Sequence, residues 1–130
     1  MHCARLSPIV TTTRLAEARA FWTEQLGFRV AFEMDDHLCV RSGQAADISF
    51  MAPEDGQPTF GGAGLTCCLE VDDVDGEHAR LTARGLAVTR PLQDNPWGDR
   101  SFVVVDPTGV DVYIYQTIEP TPEFAEHYRE

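Results

Sequence analysis

Three sets of side chains in this 130-residue sequence have the chemistry to act on another molecule: four histidines, four cysteines, and a group of aromatics on expected strands and one loop. The histidines are His2, His37, His78 and His127. They share no i,i+4 or short-loop spacing, which metal ligation from one element requires. Surface or partly buried roles are expected for them, with His37 in a turn. Cys3, Cys39, Cys67 and Cys68 contain no CxxC pair. Cys67 and Cys68 lie in an apolar run, where a cysteine behaves as a small hydrophobe. Strand neighbours point to opposite faces and are badly placed to bond each other. There is no Gly-x-Ser-x-Gly elbow and no phosphate-binding glycine loop. Gly61-Gly62-Ala63-Gly64 lacks a following Lys-Ser/Thr and reads as a hinge. A turn explains Asp35-Asp36, and a helix cap explains Asp72-Asp73. No catalytic residue is assigned.

The aromatics carry more. Phe32, Phe50, Trp97, Phe102, Tyr113 and Tyr115 fall on expected strands or on one loop. Tyr113 and Tyr115 share a strand face opposite Val112 and Ile114. Ordinary core packing competes with ligand contact for Phe50 and Phe102. Trp97 lies between Pro96 and Gly98 in a polar loop, where a large aromatic has little packing reason, so a binding role is expected there. The loop runs into the apolar strand Phe102-Val103-Val104-Val105 and a tight Asp106-Pro107-Thr108-Gly109 turn.

These residues are positioned by a repeated order of elements. Ile9 to Thr13 is β-branched and predicts a strand. Thr13 is the expected N-cap of a helix bearing Leu15, Ala18, Phe21, Trp22 and Leu26 at helical spacing, stopped by Gly27. Phe28 to Met34 alternates, with Phe28, Val30 and Phe32 on one face. A turn at Asp35-Asp36-His37 precedes short strands at Leu38–Arg41 and Ile48–Met51. Residues 53–64 read as a linker. The order then repeats: a strand over Leu65–Val71, a helix with Val74, His78 and Leu81 on one face, a stop at Gly85, and strands from Leu86 to Pro91, Arg100 to Val105 and Val110 to Gln116. Leu26-Gly27-Phe28-Arg29-Val30 matches Arg84-Gly85-Leu86-Ala87-Val88, and Asp47-Ile48-Ser49-Phe50 matches Asp111-Val112-Tyr113-Ile114. The changing offset places an insertion around Gln93–Gly98. Module 1 therefore spans about 5–52 and module 2 about 65–116, within one domain covering 1–130. The tail 117–130 carries Phe124 and Tyr128 at i,i+4, which fits either a short docking helix or a frayed charged end.

Composition narrows the function classes. A net charge of −11 opposes nucleic-acid binding, which needs a basic surface, and is compatible with attraction of cationic ligands. No apolar run approaches a membrane span, and Met1-His2-Cys3-Ala4-Arg5-Leu6 lacks a signal-peptide core, so a cytoplasmic protein with no membrane partner is expected.

The paired βαβββ order resembles the vicinal oxygen chelate superfamily, also called the glyoxalase/bleomycin resistance protein/dioxygenase superfamily. So do Leu15…Phe21-Trp22…Leu26-Gly27-Phe28, the run Glu70-Val71-Asp72-Asp73-Val74-Asp75, and Trp97-Gly98…Arg100-Ser101-Phe102…Asp106-Pro107-Thr108-Gly109. The resemblance covers nearly all of residues 5–116. It implies an α+β fold of two βαβββ modules forming a cup-shaped partial barrel, commonly completed across a homodimer.

Metalloenzymes of that family hold a divalent ion in the cup with His, Glu or Gln from the first and last strands of each module. Counting from the motifs puts those positions at Ser7, Ser49, Thr66 and Tyr113, and neutral hydroxyls are poor ligands for such a metal. The resemblance is thus nearest in character to the metal-free, bleomycin-resistance-like members. These sequester a planar or cationic antibiotic in grooves at a dimer interface. It implies no cofactor, a small-molecule partner, and antibiotic resistance as the role. It also implies a ligand site of Trp97, Arg100, Phe32, Phe50, Ser49, Tyr113, Phe102 and Asp55. Trp97 would stack on a planar ring, worth about 0.5–1.5 kcal/mol beyond burial. Arg100 would orient the loop or meet a ligand oxygen. Ser49 and Tyr113 would supply polar contacts, Phe32 and Phe50 an apolar wall, and Asp55 with Glu54 a seat for a cationic tail. The alternative is a metal-dependent lyase, isomerase or oxygenase of the same fold.

Overall fold

The computed structural model describes residues 1–129. The β-branched run near the N-terminus forms β1 (Ile9–Thr11), followed by α1 (Leu15–Ala20). Arg14, not Thr13, occupies the N-cap position, without a side-chain cap; the Thr12 hydroxyl instead accepts from the Arg14 amide at 3.1 Å. α1 then widens into a π-helical turn, Phe21–Gln25. Both residues of the Phe21-Trp22 pair are buried in it, Trp22 to 1% exposure. Gly27, at φ 78°, releases the chain.

Strands β2 (Arg29–Met34), β3 (His37–Ser42) and β4 (Ala46–Met51) complete a sheet in the order β1-β4-β3-β2, with β1 parallel to β4. The hairpin loop is only Asp35-Asp36. His37 is the first residue of β3, paired with Met34, rather than part of the turn. A bulge between Val30 and Phe32 breaks the alternation expected of β2. Phe28 precedes the strand and packs edge-on against Trp22 at 5.1 Å, and Phe32 turns outward, 48% exposed. Val10, Leu38, Val40, Ile48 and Phe50 face the buried side with Ala18 and Trp22.

The second set repeats the pattern: β5 (Thr66–Glu70), α2 (Val74–Ala83), β6 (Arg90–Asn95), β7 (Asp99–Val105) and β8 (Asp111–Thr117), ordered β5-β8-β7-β6 with β5 parallel to β8. Asp73 caps α2 by accepting from the Gly76 amide at 3.0 Å. Two expectations are corrected here. Residues 86–89 precede the strand, which starts at Arg90 rather than Leu86. The insertion is also not confined to Gln93–Gly98, because Gln93, Asp94 and Asn95 are strand and only Pro96-Trp97-Gly98 turns. Part of the added length falls earlier: β2 starts two residues after Gly27, whereas β6 starts five after Gly85. The tail forms the short helix α3 (Pro122–Ala125).

The contacts divide the chain into two compact units. Met1–Ala63 with Asp106–Gly109 is the first, and the remainder is the second. Within the first, the Trp22 indole N–H donates to Asp106 at 3.0 Å and Arg14 donates to the Pro107 carbonyl at 2.8 Å. Gly109, at φ 99°, lies so close to Gly62 that a Cβ would meet its Cα at 2.6 Å. Among the described residues no helix is long and apolar enough to cross a membrane.

Candidate functional site

The sheet of the second unit has two different faces. Phe102, Val104, Val112 and Ile114 point toward α2 and are at most 3% exposed. Alternation sends Asp99, Ser101, Tyr113 and Tyr115 to the other face. Cross-strand partners there are Ser101 with Tyr115, Val103 with Tyr113, and Cys68 with Tyr113.

Asp99 organises this second face. Its carboxylate is nearly buried, with the residue 9% exposed. It accepts from Asn95 Nδ2 at 2.8 Å, Trp97 Nε1 at 3.0 Å, and the Tyr113 hydroxyl at 2.9 Å to each oxygen. Asn95 Nδ2 also meets Ser101 Oγ at 2.8 Å. These donors are all neutral, and among the described residues no cation forms an ion pair with Asp99. The Tyr113 and Tyr115 rings lie 6.0 Å apart, tilted by 52°. The result is a negative group framed by three aromatic side chains. Burial raises the Tyr115 phenol above its ordinary value, and the Glu70 carboxylate adds to the effect. Burial, then Asp99, likewise pushes the Cys68 thiol up, so it stays protonated and is a poor nucleophile or metal ligand.

Of the residues expected to form the site, Trp97 and Tyr113 do come together here. Trp97 has packing that its polar neighbours in sequence conceal. Its ring meets Phe124 edge-on at 6.2 Å, and its carbonyl accepts from the Tyr128 hydroxyl. Arg100 lies on the opposite face, committed to Asp75 and Asp94 at 3.0 Å each. That pairing holds the Asp75 carboxyl below the usual range. Phe102 is fully buried, its ring 5.0 Å from that of His78. In the first unit, Phe50 is also fully buried, packed 6.0 Å from Trp22 rather than lining an open wall. Ser49 is on the open face of its sheet but only 6% exposed. Phe32 is exposed beside His37, and Asp55 is in an exposed turn after β4. A surface cleft of about 350 Å³ in this unit is lined by Ile9, Thr11, Met51, Ala52, Glu54 and Gln57. Asp99 and Asn95, which meet Trp97 and Tyr113 here, are not singled out by the sequence motifs. The usable signal was alternation of Asp99 and Ser101 against the apolar Phe102 and Val104.

The family's metal positions do not fit a metal here. The Ser7 hydroxyl is spent on Asp47, which also binds Arg5 and Arg41, and the Tyr113 hydroxyl is spent on Asp99. Ser49 and Thr66 add only neutral oxygens. Among the described residues, no three His, Cys, Asp or Glu side chains gather as a metal-binding group.

A sequence profile of the glyoxalase/bleomycin resistance protein/dioxygenase superfamily matches residues 2–114. The chain belongs to that superfamily. One similar solved structure is TnmS3, an antibiotic binding protein from Streptomyces sp. CB03234. It is 28% identical, with a TM-score of 0.70 over 90% of this chain and 98% of that one. A superfamily member from Sphaerobacter thermophilus is 26% identical, with a TM-score of 0.71 over 89% and 98%. A lactoylglutathione lyase from Agrobacterium tumefaciens shares the fold at 20% identity, with a TM-score of 0.71 over 89% and 95%. An uncharacterized protein of Mycobacterium bovis is 43% identical over 51 residues, 39% of this chain and 34% of its own length. The matched segment thus spans about a third of that relative.

Proposed function

We propose that this chain is a non-enzymatic binding protein for a planar, cationic small molecule of antibiotic type. The ligand sits on the Asp99-bearing sheet face of the second unit, and two copies associate so that this face forms part of a groove. One observation carries the reading: Asp99 is a nearly buried carboxylate whose hydrogen-bond donors are all neutral. Its charge is held in place but not cancelled. A cation arriving there exchanges water for a carboxylate in a shielded setting, where Coulomb attraction is stronger than in bulk. Trp97, Tyr113 and Tyr115 add ring faces, each worth about 0.5–2 kcal/mol to a cation over it. The charge of −11 speeds the approach of such a ligand. The antibiotic-binding relative supports the same class of function.

The rival is a metal-dependent enzyme of the same fold; a lactoylglutathione lyase shares that fold. The hydroxyl donors at the four family positions weigh against it. Two measurements test the proposal. Ethidium, a planar aromatic cation, is titrated against the protein, and weaker binding by Asp99→Asn is the expected result. Metal analysis of purified protein is the second; stoichiometric zinc, nickel, manganese or iron contradicts the binding-protein reading.

A further inference from the structure

The C-terminal segment treats Trp97 unlike any other part of the chain. After β8 it runs back along the Pro96-Trp97-Gly98 turn and grips it at successive points. The Ile118 amide donates to the Gly98 carbonyl at 2.9 Å, and the Thr121 amide to the Pro96 carbonyl at 2.9 Å. The Phe124 ring meets the Trp97 indole edge-on at 6.2 Å, and the Tyr128 hydroxyl donates to the Trp97 carbonyl. Gly98 has no room to spare: a Cβ there would sit 3.3 Å from both the Ile118 oxygen and Pro120.

The outer part of this grip is weak. α3 is four residues long with no side-chain cap and no buried residue, and Tyr128 is 59% exposed. Segments with few buried contacts and exposed hydrogen bonds open at low cost. The inner part, at Ile118 and Thr121, uses backbone bonds and resists. Trp97 is thus held through its indole N–H by Asp99 and Tyr113, and through its ring and carbonyl by the exposed Phe124–Tyr128 end of the chain.

We propose that residues 118–128 form a strap that closes on Trp97 and gates ligand entry to the Asp99 face. This rests on the assignment of that face as the ligand site. Opening the strap at Phe124 and Tyr128 frees one side of the indole, while the Asp99 bond keeps its N–H anchored. Ligand then enters past Trp97, and closure presses the ring onto it.

The test uses the full chain and the double variant Phe124→Ala, Tyr128→Phe, with Glu123→Gln as an exposed control on the same helix. Acrylamide quenching of tryptophan emission, without ligand, reads Trp97. Trp22 is 1% exposed and contributes a low background, fixed by Trp97→Phe. The expected result is several-fold stronger quenching in the double variant and none in the control. Stopped-flow mixing with ethidium then reads entry: association in the double variant is expected to be several-fold faster than in the parent chain. Unchanged quenching overturns the strap. Stronger quenching with an unchanged association rate overturns its gating role. If ethidium fails to bind the parent chain, the ligand assignment fails instead, along with the gate built on it; quenching still judges the contact of the strap with Trp97.

Discussion

At the scale of single residues, Asp99 and Asp47 are both shielded carboxylates with opposite company. Asp47, its side chain 3% exposed, is paired with Arg5 and Arg41. The Ser7 hydroxyl, and after it the two guanidiniums, hold its pKa below the ordinary range, against burial. A depressed folded-state pKa gives stability that is present above the unfolded value, about 3.9, and lost as pH falls from there toward the folded value. Acid titration followed by circular dichroism is therefore expected to show Asp47→Asn losing less stability over that acid window than the parent chain. At neutral pH the same variant starts about 1–3 kcal/mol less stable. Asp99 has no such cation among the described residues. Tyr113→Phe removes a donor to it and is expected to cost about 1–3 kcal/mol in urea unfolding. The loop position of Trp97 singled it out as a candidate, and the structure brings its indole N–H to Asp99. Its Phe124 partner was not legible, because that contact joins residues far apart in sequence. For Phe50 and Phe102 the sequence left core packing and ligand contact open, because an apolar strand residue shows its period but not which face is covered; both are buried.

Among the elements, the paired βαβββ order and both helix stops at Gly27 and Gly85 could be read directly from hydrophobic period and glycine placement. The β2 bulge and the late start of β6 could not, since both are settled by cross-strand register. The π-helical turn at Phe21–Gln25 was equally hidden, because its residues keep helical spacing. Its Trp22 depends on a turn more than 80 residues away, Asp106–Gly109, through the bond to Asp106. That turn needs glycine at 109, where the backbone is left-handed and the Gly62 backbone is in the way. Gly109→Ala is expected to cost about 1–3 kcal/mol, lowering the melting temperature by several degrees. Gly43→Ala, at φ 59° with nothing within 4 Å, pays backbone strain alone and is expected to lose less. Equal losses in the two variants would contradict the close-approach argument.

For the molecule as a whole, superfamily membership fixes the fold and leaves the chemistry to the side chains on it. All ten basic residues are arginines, and those whose ion pairs are described are held by Asp or Glu. The excess negative charge therefore remains available to a cation. Association of two copies follows from the proposed groove; light scattering at micromolar concentration is expected to give the mass of a dimer, and a monomer would remove the groove while leaving the Asp99 face to be tested. That face is tested most directly by ethidium affinity, measured calorimetrically, in the parent chain and in Asp99→Asn. Loss of a charge-assisted contact of about 1.5–3 kcal/mol predicts binding weakened by about 10- to 100-fold, with neutral phenanthridine bound poorly by both. Equal ethidium affinity in the two proteins would contradict the account.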